Sequence, residues 1–128
     1  MTGVQTCALP IYCYGECAFL SGDKEEAAKV FRRALEQQPN SSRALCNLGS
    51  VYRVSGRHSD AIACFEKAME SDPDFQPTYI NFAVALYETS RPREALALLE
   101  RALNKWPQLQ MATDVHRRIS AEITAPRQ

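Results

Sequence analysis

The chain repeats itself every 34 residues. Pro39, Pro73 and Pro107 are spaced at that interval, and the same shift carries Ala27 to Ala61 to Ala95 and Ala34 to Ala68 to Ala102. It takes Phe31 to Phe65 and then Leu99, Gly15 to Gly49 and then Ala83, and Gly22 to Gly56 and then Ser90. Several columns matching in one register imply a stack of one supersecondary unit. Each unit is too small to bury its own apolar face and depends on its neighbours to do so.

The unit reads as two helices. In the middle copy Leu45, Leu48, Val51 and Tyr52 recur at helical spacing, as do Ala61, Ile62, Phe65, Ala68 and Met69. Gly56 falls between these runs, where a helix end favours a residue without a β-carbon. Pro73 closes the second run, because it has no N–H to donate and its ring clashes with the preceding turn. Pro77 and Pro92 fall near helix starts, where proline costs little. The pattern predicts helices over 11–21, 24–38, 42–55, 58–71, 77–89, 92–105 and 108–124. Seventeen alanines against five glycines suit packed helices better than strands. Glycine or alanine at 15, 49 and 83, facing alanine at 27, 61 and 95, predicts close approach within each pair.

Charge and composition exclude several functions. Fifteen basic residues balance fifteen acidic ones, which disfavours holding nucleic acid or an anionic membrane by bulk electrostatics. No apolar run reaches the roughly 18 residues of a membrane span. Lys24 is the first basic residue, so the apolar stretch at 7–20 lacks the positive flank of a signal peptide. The opening string MTGVQTCALPI is similar to translated sequencing-adapter DNA, which predicts an artefactual or disordered segment over 1–7 and a longer natural protein. Five cysteines, an odd number without secretory context, favour free thiols and a cytoplasmic setting. Cys13 and Cys17 are four apart, but Cys46, Cys64, His58 and His116 offer no second pair at ligand spacing, so no metal or cofactor is expected. Cys17 and Cys64 read as small apolar fillers. With no phosphate-binding glycine loop, histidine pair or nucleophile elbow, the chain is not expected to be an enzyme.

Leu45, Leu48, Gly49 and Tyr52, continued by Ala61, Phe65, Ala68 and Pro73, form a pattern that resembles the tetratricopeptide repeat. Leu45 replaces the usual tryptophan. Tyr79, Phe82, Ala83, Leu86, Ala95, Leu99, Ala102 and Pro107 keep the register more loosely. The resemblance implies an all-α, right-handed α-solenoid of three helix-turn-helix repeats, at 8–41, 42–75 and 76–109, with a capping helix and tail at 110–128. In that last segment Ala112, Val115, Ile119 and Ile123 form an apolar stripe suited to shielding the final repeat. Trp106 is expected to pack in the turn that leads there.

The resemblance also implies a concave groove lined by the first helix of each repeat. The groove places of the middle repeat include Arg43, Asn47, Ser50 and Arg53, besides Cys46. Those of the third include Ile80, Asn81, Val84 and Tyr87. The first repeat contributes Tyr12 and the last helix Arg118. Asn47 and Asn81 are 34 apart, and a carboxamide both donates to and accepts from a peptide backbone. Asparagines at this place hold substrate peptides in a glycosyltransferase of the family. The two-carboxylate clamp by which some members grip chaperone tails is disfavoured. Of its Lys, Asn, Asn, Lys and Arg only Asn47 is matched, with Tyr12, Glu16, Pro77 and Asn81 at the other places. The expected function is a non-catalytic scaffold that binds a protein or peptide segment in the groove. The alternative is the substrate-recruiting region of a larger enzyme such as a glycosyltransferase. An RNA-binding helical repeat is disfavoured by the neutral charge, and the oligomeric state is left open.

Overall fold

The computed structural model describes residues 22–125, all of whose regular structure is helical. The helices are α1 (Lys24–Gln37), α2 (Ser42–Val54), α3 (His58–Ser71), α4 (Gln76–Glu88), α5 (Pro92–Lys105) and α6 (Gln110–Thr124). The predicted helix over 11–21, with Tyr12, Cys13, Gly15 and Cys17, lies outside the described residues. Two of the predicted spans, 58–71 and 92–105, match the observed helices end to end. The last helix starts at Gln110 and not at 108, because Leu109 N–H first closes a turn on the Trp106 carbonyl at 3.0 Å. The chain divides into two compact units, Met1–Asp74 and Phe75–Gln128.

In the first unit α2 packs against both α1 and α3. Ala27, Ala28, Phe31, Leu48 and Val51 form its core, with Leu35, Tyr52 and Cys64 packed around them. The small residues act as their spacing predicts. Gly49 faces Phe65 so closely that a β-carbon would stand 2.7 Å from the ring, and Ala61 opposite is fully buried. Ser41 caps α2 by accepting from Ala44 N–H at 3.3 Å. Ser42 Oγ, buried, donates to the Ala68 carbonyl near the end of α3 at 3.2 Å. That carbonyl also accepts from Asp72 N–H at 3.0 Å, so the Ser42 bond is a second one that ties the start of α2 to the end of α3.

In the second unit α5 packs against α4 and α6, and α6 also touches α4. Ala83, Ala95, Leu99 and Ala102 are fully buried at the repeat places that Gly49, Ala61, Phe65 and Ala68 fill in the first unit. Trp106 stands edge-on to Tyr79, with ring centroids 5.3 Å apart, in the turn before α6. Of the apolar stripe on α6, Ala112 and Ile119 are buried, whereas Ile123 is 42 % exposed and escapes the cover that the sequence predicts for it.

The turns inside the helix pairs repeat too. Gly56 and Ser90 both have positive φ, +83° and +65°, and Gly22 shares the column at +90°. Arg57 N–H bonds the Tyr52 carbonyl at 2.8 Å, and Arg91 N–H bonds the Leu86 carbonyl at 2.9 Å. These closures leave the chain needing a left-handed residue one place earlier. The same arginines then reach forward to Asp60 at 2.8 Å and Glu94 at 2.6 Å, one turn into the next helix. The Arg91 hydrogen bond holds the Glu94 carboxyl below its ordinary range.

Candidate functional site

The predicted groove residues fall into stripes because residues three and four apart share a helix face. On α2, Arg43 is exposed, and Asn47, Ser50 and Arg53 are half-buried. Ser50 Oγ donates to the Cys46 carbonyl one turn back at 3.1 Å, which commits its proton to the helix and leaves its lone pairs as acceptors. Cys46, a groove place by family register, is buried and so lines no open surface. On α4, Asn81, Val84 and Tyr87 are half-buried, while Ile80 is 7 % exposed. Arg118 on α6 is exposed, its Nε 3.8 Å from Glu122 Oε1. Tyr12 lies outside the described residues.

Within the second unit the structure brings these stripes together. Val84, Tyr87 and Glu88 of α4 meet Val115, Arg118, Ile119 and Glu122 of α6 around a cleft of about 240 Å³. A second cleft, of about 320 Å³, lies toward the start of α4 among Pro77, Ile80, Asn81, Leu109 and Met111. Five predicted residues thus line two clefts on one pair of helices: Val84, Tyr87 and Arg118 in one, Ile80 and Asn81 in the other. The walls combine aliphatic and aromatic side chains with Gln76 and Asn81 in one cleft and Glu88, Arg118 and Glu122 in the other, so each recess offers an apolar side chain a seat beside polar groups. Glu122 was not among the predicted groove residues. Its place four after Arg118 puts it on the same helical face, but only the packing of α6 against α4 makes that face part of a cleft.

Among the described residues, the remaining reactive groups stand apart from one another. Burial, and then the charge of Asp60, push the Cys64 thiol up to about 11, so it stays protonated and poorly nucleophilic near neutrality. His116 Nε2 lies 3.3 Å from Glu100 Oε1, a contact that ties α6 to α5. Among the described residues, no three or more His, Cys, Asp or Glu side chains gather as a metal site. Nor is any described helix long and apolar enough to cross a membrane.

Repeated helix pairs with small residues at the crossings define a helical-repeat protein. The tetratricopeptide repeat profile matches residues 8–74, more than half of the chain, and a second profile of that repeat matches 53–113. The chain belongs to the tetratricopeptide repeat family. No curated protein matches it by sequence. Among solved structures it is similar to the first tetratricopeptide domain of Spaghetti (RPAP3) bound to the HSP90 peptide SRMEEVD. The TM-score is 0.83 at 21 % identity, covering 94 % of this chain and 98 % of that one. The first such domain of human RPAP3 gives 0.84 at 21 % identity, covering 90 % and 91 %. The TPR2B domain of yeast Sti1, in a pHsp70 complex, gives 0.78 at 24 % identity, covering 84 % and 91 %. At these identities the likeness establishes the fold.

Proposed function

We propose that this chain is a protein-interaction module that binds a peptide segment of a partner along the first helices of its repeats and performs no chemistry on it. The repeats run over 8–41, 42–75 and 76–109, with 110–128 as cap and tail. Arg43, Asn47, Ser50 and Arg53 on α2, Ile80, Asn81, Val84 and Tyr87 on α4, and Arg118 on α6 supply the contacts. The observation that carries this reading is the pair of clefts between α4 and α6, which five of those residues line. Asn47 and Asn81 occupy one repeat column, suited to a run of backbone hydrogen bonds to an extended segment. The peptides held by similar domains, SRMEEVD in Spaghetti among them, support peptide binding as the activity. Free thiols at Cys46 and Cys64 suit a reducing, cytoplasmic setting.

The test replaces Asn47 and Asn81 together with alanine and measures affinity for a peptide selected on the intact protein. Each asparagine lost is expected to weaken binding about five- to tenfold, the range of a hydrogen bond left unmade. Helical circular dichroism stays unchanged, since both side chains lie at the helix surface. Unchanged affinity in the double variant would remove the asparagine column from the site.

A further inference from the structure

Three cations gather around one phenol at the carboxyl end of α2. Arg32, in the third turn of α1, donates through Nη1 to Tyr52 Oη at 3.3 Å. Arg57, in the turn before α3, lies over the same ring with its Cζ 4.3 Å from the centroid. Lys24, which opens α1, donates through Nζ to the Val54 carbonyl at 3.4 Å, two residues past Tyr52. Sharing one ring holds the two guanidiniums within about 10 Å of each other, roughly one Debye length in dilute salt. Like charges at that range repel, and opposing charge is scarce. Asp60 pairs with Arg57 at 2.8 Å. Lys24 and Arg32 rest on neutral oxygens, and among the described residues no carboxylate stands at ion-pair distance from either. The end of α2 attracts them with a charge of about −0.5, which two cations exceed.

The repeat does not call for these cations. Arg57 recurs as Arg91, paired in the same way with Glu94, so it belongs to the turn. The places of Lys24 and Arg32 hold His58 and Glu66 one repeat on, then Pro92 and Glu100. What Lys24, Arg32 and Tyr52 have in common is that they offer donors. Tyr52 Oη accepts from Arg32, so its own proton is left to give. Lys24 and Arg32 each spend one N–H on a neutral oxygen and keep the others. Both cations are exposed, while Tyr52 is half-buried against the core that α1 and α2 share, so the set is fixed from beneath and open to solvent.

We infer that Lys24, Arg32 and Tyr52 form a second binding site, for an aspartate or glutamate side chain of a protein partner. The carboxylate bridges the Arg32 guanidinium and the Tyr52 hydroxyl, and Lys24 supplies the second positive charge. Donors without an acceptor among them match a group that only accepts, and guanidinium and carboxylate meet fork to fork. Charge complementarity then fixes where the partner docks. One carboxylate needs one such cluster. A phosphate backbone needs several, and α1 instead exposes Glu25 and Glu36 beside it. None of the three residues is a groove residue, so the inference stands apart from the peptide-binding reading above.

The experiment titrates the nitrogen-15-labelled full chain, at fixed ionic strength, with an acetylated and amidated peptide of alternating glycine and glutamate. The same peptide with glutamine for glutamate and a short oligothymidylate serve as the other ligands. The amide signals of Lys24, Arg32 and Tyr52 and the Arg32 Nε–H signal are expected to move and saturate with the glutamate peptide and to stay in place with the glutamine one. Tyr52→Phe removes the hydroxyl donor and keeps the ring, and it should weaken binding about fivefold, as should Arg32→Gln. Arg33→Gln takes the same charge from the neighbouring exposed position and should leave the affinity within about twofold, as a distant surface charge does. Shifts spread evenly over Arg33, Arg93 and Arg101 overturn the inference, as does Arg33→Gln costing as much as Arg32→Gln. Tyr52→Phe binding as well as the parent overturns it too, and so does oligothymidylate binding more tightly than the glutamate peptide.

Discussion

Gly49 and Phe65 are packed face to face, with no room for a β-carbon between them: the missing atom would lie 2.7 Å from Cε1 and 2.9 Å from Cζ of the ring. Phe65 is fully buried and has nowhere to retreat. At the matching places of the second unit stand Ala83 and Leu99, both fully buried. The larger backbone neighbour thus goes with the smaller partner. Gly49→Ala is expected to destabilise the protein by about 1 kcal/mol. Overpacking costs about 1–3 kcal/mol, and the better helix propensity of alanine offsets roughly 1. Adding Phe65→Leu, which copies the Ala83 and Leu99 pair, is expected to recover part of that loss. Urea denaturation of the single and double variants checks it, and a double variant less stable than the sum of the two single changes would refute the pairing.

The column of Gly22, Gly56 and Ser90 leads to a second prediction. All three residues have positive φ, and Ser90, at +65°, is the one described residue other than glycine to do so. A left-handed backbone at a residue with a β-carbon costs about 1–2 kcal/mol, partly offset by the greater chain entropy that glycine loses on folding. Ser90→Gly is therefore expected to stabilise the protein by about 0.5–1 kcal/mol. Ser90 is exposed, so no packing is lost. Thermal denaturation should show Tm rising by a few degrees, and an unchanged or lower Tm would mean that the turn carries no strain.

Both relationships were legible in the sequence because a repeat compares each residue with its own counterparts. Gly49 over Ala83 marks the close crossing, and Gly22, Gly56 and Ser90 mark the turn, by their place in the repeat alone. Helix ends set by side-chain patterning were legible too, as at 58–71 and 92–105. What periodicity could not supply was the surroundings of each column. The family register puts Cys46 in the groove, yet its neighbours bury it. The stripe on α6 includes Ile123, yet Ile123 is left 42 % exposed where Ala112 and Ile119 are buried. The clefts escaped for a related reason. A cleft needs two helices at a set separation, and the sequence fixes which face each helix turns but not how far apart the faces stand. Glu122 becomes a groove residue only because α6 lies against α4.

Thr78 departs from its column in a way that the packing does not reward. The residues 34 away on either side, Ala44 and Ala112, are alanines, and all three positions are fully buried. The Thr78 hydroxyl finds no hydrogen-bond partner among the described residues. A buried hydroxyl without a partner forfeits its hydration for nothing, at about 1–3 kcal/mol. Thr78→Val keeps the shape and the β-branch, so helix propensity hardly changes. It is expected to raise stability by about 1 kcal/mol, read as a higher urea midpoint at unchanged slope. Thr78→Ala matches the column but also removes a methyl group, which forfeits about 0.8 kcal/mol of apolar burial, and so should fall between valine and threonine. A valine variant less stable than the parent would show that the hydroxyl is satisfied in solution, for instance by a buried water. The order Val above Ala above Thr identifies the hydroxyl, and not the side chain's volume, as the source of the cost.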